Sequence, residues 1–152
     1  MDKFHPKLKT PICEKLGIDY PIIQTGMGWV SSSQLTAATC RTGAIGFLAT
    51  ATQTFTEMKS SVREIKEATE KPFGINVRTD SPDIEERLDW AIKEGIKVVS
   101  FAQAPKPEMV KKLSGSGVIT IPTIAARRHA EKVAEWGVDA VIAQGQEGGG
   151  HT

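Results

Sequence analysis

Side-chain amides recur where apolar runs of this sequence end: Gln24, Asn76, Gln103 and Gln144. An amide both donates and accepts, so a set of them suits the edge of a heterocycle such as a flavin or nicotinamide ring. The same amides also serve loops that bond their own backbone. Gly26 and Gly28 flank Met27, and bare backbone there either presses against a flat ring or makes a tight turn. The last stretch, "AVIAQGQEGGGHT", empties an apolar run into glycines and ends on His151 and Thr152. Imidazole is the side chain best suited to moving a proton near neutral pH; a histidine at a chain end is equally a solvated terminus. His5 falls in an N-terminal arm and His129 in the basic turn "ARRHAEK". No pair of histidines has metal-ligand spacing, so no metal site is expected.

Elements able to hold these residues follow a repeating plan. Six short apolar runs read as strands: 21–25, 44–48, 73–77, 97–101, 118–122 and 140–144. They are continuous rather than alternating, as in strands buried on both faces. Amphipathic segments lie between them, which is the signature of βα units building a parallel sheet. Ser81 before Pro82 predicts a helix start, and Gly95, Gly117 and Gly137 predict helix ends. Ile84, Leu88, Ala91 and Ile92 form one apolar stripe, and Val133 with Trp136 another. Ligands of parallel α/β folds sit beyond the carboxyl ends of the strands, where the amides and glycines stand.

Composition narrows the function. With 152 residues, 39% of them hydrophobic and 24% charged, the chain suits one globular domain. A net charge of +1 with mixed signs gives no footprint for nucleic acid or an anionic membrane. Cys13 and Cys40 read as reduced thiols, and no signal peptide or membrane span is evident, so a cytoplasmic location is expected. Neither a dinucleotide fingerprint nor a phosphate-binding P-loop motif occurs, which argues against a nucleoside triphosphate enzyme.

The segments "PIIQTGMGW", "GAIGFLA", "PFGINVR", "VVSFAQAP" and "DAVIAQGQEGGGHT" together resemble the strand-end signatures of the nitronate monooxygenase family, formerly the 2-nitropropane dioxygenases. The last is similar to that family's Q-G-x-E-A-G-G-H, with Gly148 in place of alanine. Thr25 and Gly26 stand where Ala-Pro is common. Flavin-dependent enoyl-acyl-carrier-protein reductases share the pattern. A branch acting on coenzyme A thioesters in steroid ring breakdown, with "QTGMGW" and "GGEGGGHTG", resembles the chain more closely.

The resemblance implies an α/β fold, a (β/α)8 TIM barrel holding FMN. It implies that Gly26 and Met27 lie near the flavin, that Asn76 and Gln144 contact it as amides, that Gly149 permits close approach, and that His151 is the catalytic histidine. The implied reaction is oxidation of an alkyl nitronate with O2 to a carbonyl compound and nitrite; the alternative is an enoyl or acyl-CoA (or acyl-carrier-protein) reductase. A third reading, of another class, is a non-catalytic fragment or interaction partner.

A complete barrel takes about 250 residues and eight strands. Six βα units in residues 1–152 therefore predict one incomplete domain, with strands seven and eight missing. Such an open sheet is expected to hold FMN weakly or not at all, to associate with itself or with a complementing C-terminal polypeptide, and to be catalytically silent without the latter.

Overall fold

The computed structural model describes residues 6–149. After a 3-10 turn at Pro6–Leu8, the chain runs α1 (Pro11–Leu16), β1 (Ile23–Gln24), α2 (Ser33–Arg41), β2 (Ile45–Ala49) and α3 (Phe55–Ala68). It continues β3 (Gly74–Val77), α4 (Ile84–Lys93), β4 (Val98–Phe101), α5 (Pro107–Ser114), β5 (Ile119–Ile124), α6 (Arg127–Ala134) and β6 (Ile142–Ala143). All six strands are parallel and lie in the order β1-β2-β3-β4-β5-β6. Because each strand adds beside its predecessor and the order never reverses, the crossover helices fall on one face and the sheet curls as a partial TIM barrel.

Register assigns the two faces. Phe47 pairs with Gly74, Gly74 with Val98 and Val98 with Ile119, so these share the inner face. The alternate residues, Leu48, Ile75, Val77, Val99 and Phe101, point outward and form one buried cluster with Met58, Val62, Ile65, Leu88, Met109 and Leu113 of α3, α4 and α5. Burying one such aliphatic side chain is worth about 1.5–3 kcal/mol. The outer layer therefore supplies most of the hydrophobic stabilisation.

Six expected strands are present, and the ladder is shortest where it has one neighbour: β1 and β6 contribute two residues each. Two local readings change. The helix expected to start at Ser81 begins at Ile84, because the Ser81 carbonyl accepts the Ile84 N–H at 3.1 Å and Asp83 occupies the cap position. Helix α1 was not expected at all. Proline stands at its start and Gly17, at φ 68°, at its end. Its Cys13 and Leu16, with Ile18, pack on Ile45, Phe47, Val98 and Ile121 of the inner face.

Helix α1 is locked in place by charge. Lys15 Nζ lies 2.7 Å from Asp139 Oδ1, and Asp139 Oδ2 accepts the Thr120 N–H at 2.9 Å. Burial alone would raise the Asp139 pKa, but the Lys15 ammonium and the Thr120 donors outweigh it and hold the carboxyl below its ordinary value.

Candidate functional site

Along the inner face, apolar side chains give way to polar ones toward the carboxyl ends. Beyond Phe47, Gly74 and Val98 come Ala49, Asn76 and Ser100, again in register. Asn76 Nδ2 donates to Ser100 Oγ at 2.8 Å, with the two residues only 8% and 1% exposed. A buried amide that bonds a buried hydroxyl is held in one orientation. Its Oδ1 takes no protein donor among the described residues.

The β1–α2 loop lies directly on this amide. A Cβ built on Gly26 would stand 2.5 Å from Asn76 Cβ and 2.8 Å from Asn76 Oδ1. No side chain fits between them, so glycine at 26 is required by the Asn76 side chain itself. Gly28 follows at φ 42°, a left-handed conformation that favours glycine.

Ser31 organises the rest of the loop. Its Oγ donates to the Thr25 carbonyl at 2.8 Å and accepts the Met27 N–H at 2.8 Å and Gln24 Nε2 at 2.9 Å. The Met27 N–H is thus committed to the loop. Ser31 is buried, while Met27, Trp29 and Val30 project outward; Trp29 is 84% exposed. A fixed loop therefore presents apolar side chains at the strand ends.

The four amides part company here. Gln24 Nε2 also bonds the Thr25 and Phe47 carbonyls, and Gln103 Oε1 accepts from Thr79 Oγ1 at 3.3 Å, so both tie scaffold together. Asn76 faces the inner layer. Gln144 anchors the terminal glycines: its main-chain N–H bonds the Ile124 carbonyl at 3.0 Å, and its Nε2 lies 3.5 Å from the Gly149 carbonyl. A Cβ on Gly149 would meet nothing within 4 Å among the described residues. His151 and His5 lie outside the described residues.

Arg78 forks onto Asp80 at 2.9 and 2.6 Å after β3, and that contact lowers the Asp80 pKa. Among the described residues no group of three or more His, Cys, Asp or Glu side chains could hold a metal ion, and no helix is long and apolar enough to cross a membrane. A surface hollow lined by Ser33, Gln34, Arg41, Glu64 and Glu67 lies between α2 and α3. None of those residues follows the carboxyl end of a strand, where ligands of this fold bind.

Sequence reading missed Ser31, Ser100 and Thr50, whose N–H and Oγ1 both bond the Asn76 carbonyl, at 3.1 and 2.8 Å. One signal was available for Ser100: it is the single polar residue in "VVSF", at inner-face register with Asn76.

Known proteins are similar to this chain in sequence and in fold. The (3aS,4S,5R,7aS)-5-hydroxy-7a-methyl-1-oxo-octahydro-1H-indene-4-carboxyl-CoA dehydrogenase of Rhodococcus jostii (strain RHA1) is 51% identical over 145 residues, 95% of this chain and 41% of that protein. Its namesake in Mycobacterium tuberculosis (strain ATCC 25618 / H37Rv) is 48% identical, over 96% of this chain and 41% of that protein. The nitronate monooxygenase of Paraburkholderia phytofirmans is 28% identical over 94% of this chain and 50% of its own length. This chain thus spans about two-fifths to one-half of the curated relatives it matches.

Among solved structures, FabK from Thermotoga maritima superposes with a TM-score of 0.90 at 33% identity, over 94% of this chain and 46% of that one. Nitroalkane oxidase from Streptomyces ansochromogenes gives 0.85 at 29%, over 93% and 50%. Residues 9–152 match the profile of the family described as nitronate monooxygenase, and with almost the whole chain inside that match, it belongs to the nitronate monooxygenase family.

Proposed function

We propose that this chain forms the flavin-facing part of an FMN-dependent oxidoreductase whose substrate is a coenzyme A thioester of a compact carbocyclic acid. One observation carries the substrate class: identity of 51% and 48% to two proteins named as dehydrogenases of such a thioester, against 28% to a nitronate monooxygenase. The strand-end layer suits the ring of the cofactor. Gly28 and Gly149 leave backbone uncovered, Gly26 lets the loop lie on Asn76, Asn76 Oδ1 is unused, and Met27 and Trp29 are apolar and outward. FMN, when bound, supplies a two-electron acceptor or donor.

The roles of this chain's own residues follow from their chemistry. Asn76, fixed by Ser100, offers an acceptor to a ring N–H, and Gln144 holds the glycine loop at the mouth while serving as a second amide contact. His151 moves a proton at the substrate carbon. In a form that spans the full length of the relatives, replacing His151 with Ala is expected to cut turnover by about 10²–10⁴-fold while flavin stays bound. Unchanged turnover would remove His151 from the reaction.

A second reading, oxidation of an alkyl nitronate with O2, draws on the family profile and on the nitroalkane oxidase superposition. The two separate in one experiment. Protein equilibrated with FMN is mixed without oxygen with a carbocyclic acyl-CoA thioester or with a nitronate, and loss of the oxidised-flavin colour is followed. Bleaching by the thioester alone is expected; bleaching by the nitronate alone would overturn the first reading. Flavin reoxidised by an enoyl thioester when NAD(P)H is present would favour a reductase instead.

A further inference from the structure

Arg87 sits in the apolar stripe of α4 beside Ile84, Leu88 and Ala91, yet it is charged and only 6% exposed. Burying a guanidinium is costly unless its donors are satisfied. Here they go chiefly to one short stretch of backbone, with Nη1 also reaching Met58 Sδ at 3.7 Å. Nη1 donates to the Thr50 carbonyl at 3.1 Å and Nη2 to the Gln53 carbonyl at 2.8 Å. Asp83 Oδ1 approaches Nε at 2.8 Å, off the line of the N–H, so this contact acts as an ion pair rather than a directed hydrogen bond. Arg87 thus clamps both ends of the β2–α3 loop from outside the sheet.

That loop borders the candidate site. Ala49 N–H bonds the Ser31 carbonyl, Thr50 bonds the Asn76 carbonyl, and Thr52 Cγ2 lies 4.0 Å from where a Cβ on Gly28 would be. The peptide joining Thr50 and Ala51 is trans, so its N–H points opposite to its carbonyl. The Thr50 carbonyl, drawn to Arg87, also accepts the Gln53 N–H at 3.2 Å, and the Ala51 N–H is aimed away from α4. Ala51 is exposed, and its N–H has no partner among the described residues.

We infer that Arg87 is a positioning residue: by holding the Thr50 and Gln53 carbonyls it turns the Ala51 N–H outward as a donor for a ligand carbonyl oxygen. The identity of the ligand rests on the flavin and thioester reading above; the clamp itself does not. Two sources of such an oxygen exist in that reading, the flavin ring and the thioester, and they can be supplied separately.

The test uses the 15N-labelled chain, wild type, Arg87→Lys and Arg87→Met, with two readouts. The first is amide hydrogen exchange without ligand. In both variants the Thr50 and Gln53 amides are expected to exchange at least about 10-fold faster, while the β4 amide of Val99 changes only in step with global stability. Lysine keeps the charge but cannot span two carbonyls, so Arg87→Lys serves as the folded comparison if Arg87→Met unfolds. Loop amides that stay protected, or that shift only in proportion to Val99, would overturn the inference.

The second readout is the Ala51 amide resonance during addition of FMN alone and of a carbocyclic acyl-CoA thioester alone. A shift of Ala51 in wild type, lost in Arg87→Lys, is expected with one of the two and names the source. Movement of Gly26 and Asn76 with Ala51 unmoved would overturn the donor role. If neither compound moves any strand-end amide in wild type, the flavin and thioester reading fails, and the exchange comparison alone decides whether Arg87 positions the loop.

Discussion

At the start of the inner face, Ile45, Phe47, Val98 and Ile121 are covered by Cys13, Leu16 and Ile18, and the cover is pinned by Lys15 and Asp139. Two residues beyond the Phe47, Gly74 and Val98 register, Ala49, Asn76 and Ser100 meet a loop held by Ser31, with Met27 and Trp29 outside it, while on β5 the apolar Ile121 stands level with Ser100. Both ends are ordered, but by different forces. Dispersion and apolar burial order the closed end, where each methyl group has neighbours on all sides. Hydrogen bonds through a few hydroxyls and amides order the open end, and they fix geometry while contributing only about 1 kcal/mol each to stability. On the inner face, apolar packing and the candidate site thereby fall at opposite ends of one set of strands, the division seen in other barrels of this class.

The contrast can be broken by substitutions, ranked by expected effect. Phe47→Ala empties the space where the ring crosses Gly74, whose built Cβ would lie 2.4 Å from Phe47 Cε1. A loss of about 3–5 kcal/mol is expected in denaturant unfolding. A loss under about 1 kcal/mol would mean that the closed end is not the stabilising one.

Asp139→Ala should cost about 1–3 kcal/mol, because the Thr120 N–H loses its acceptor. Its carboxyl is held below the ordinary 3.8, so its contribution is complete above that pH and fades as pH falls through the lower folded value. Unfolding curves of wild type and Asp139→Asn should therefore converge only below about pH 4. Convergence nearer neutrality would show that the Lys15 contact does not set the carboxyl's behaviour.

Ser31→Ala is expected to lower global stability by about 1 kcal/mol or less, since water can replace the loop's lost partners. Amide exchange across residues 25–30 should nevertheless accelerate selectively. A loss comparable to that of Phe47→Ala would erase the distinction between the two ends. Trp29→Ala should change stability by no more than about 0.5 kcal/mol, as for other exposed positions. A larger drop in thermal unfolding would show that the indole packs against the protein rather than waiting for a ligand.

Legibility in the sequence follows the same division. Strands β2 to β5 could be read because both faces are buried, so every residue of "IGFLA" or "VVSF" is under the same apolar demand apart from Ser100. Helix α1 could not, because six residues with Glu14 and Lys15 among them are too few to show a period, and the partners of Leu16 lie far along the chain. At the site, glycines and amides were visible by type. Which amide faces inward was not: Gln24 and Gln103 differ from Asn76 only in what stands across from them. Ser31 and Arg87 were hidden for a related reason, since a serine and an arginine read as surface residues until their buried partners are known. Gly26 was visible for the right property but a different cause, as its bare Cα accommodates Asn76.

The bond between Lys15 and Asp139 also sets an order of events. Its partners are separated by 124 positions, whereas each βα unit closes over a few tens of residues. Local units form early and distant pairings late, because the entropy of closing a long loop precedes any return from the contact. During synthesis, α1 precedes Asp139 by 124 positions and waits for the stretch leading into β6 before its lysine has a partner. Until that moment Cys13, Leu16 and the start of β2 are an exposed apolar surface on a growing chain, the kind that chaperones hold. The earlier of the two partners is thus secured only when the later one arrives, and a pause in translation between them would leave this contact unmade.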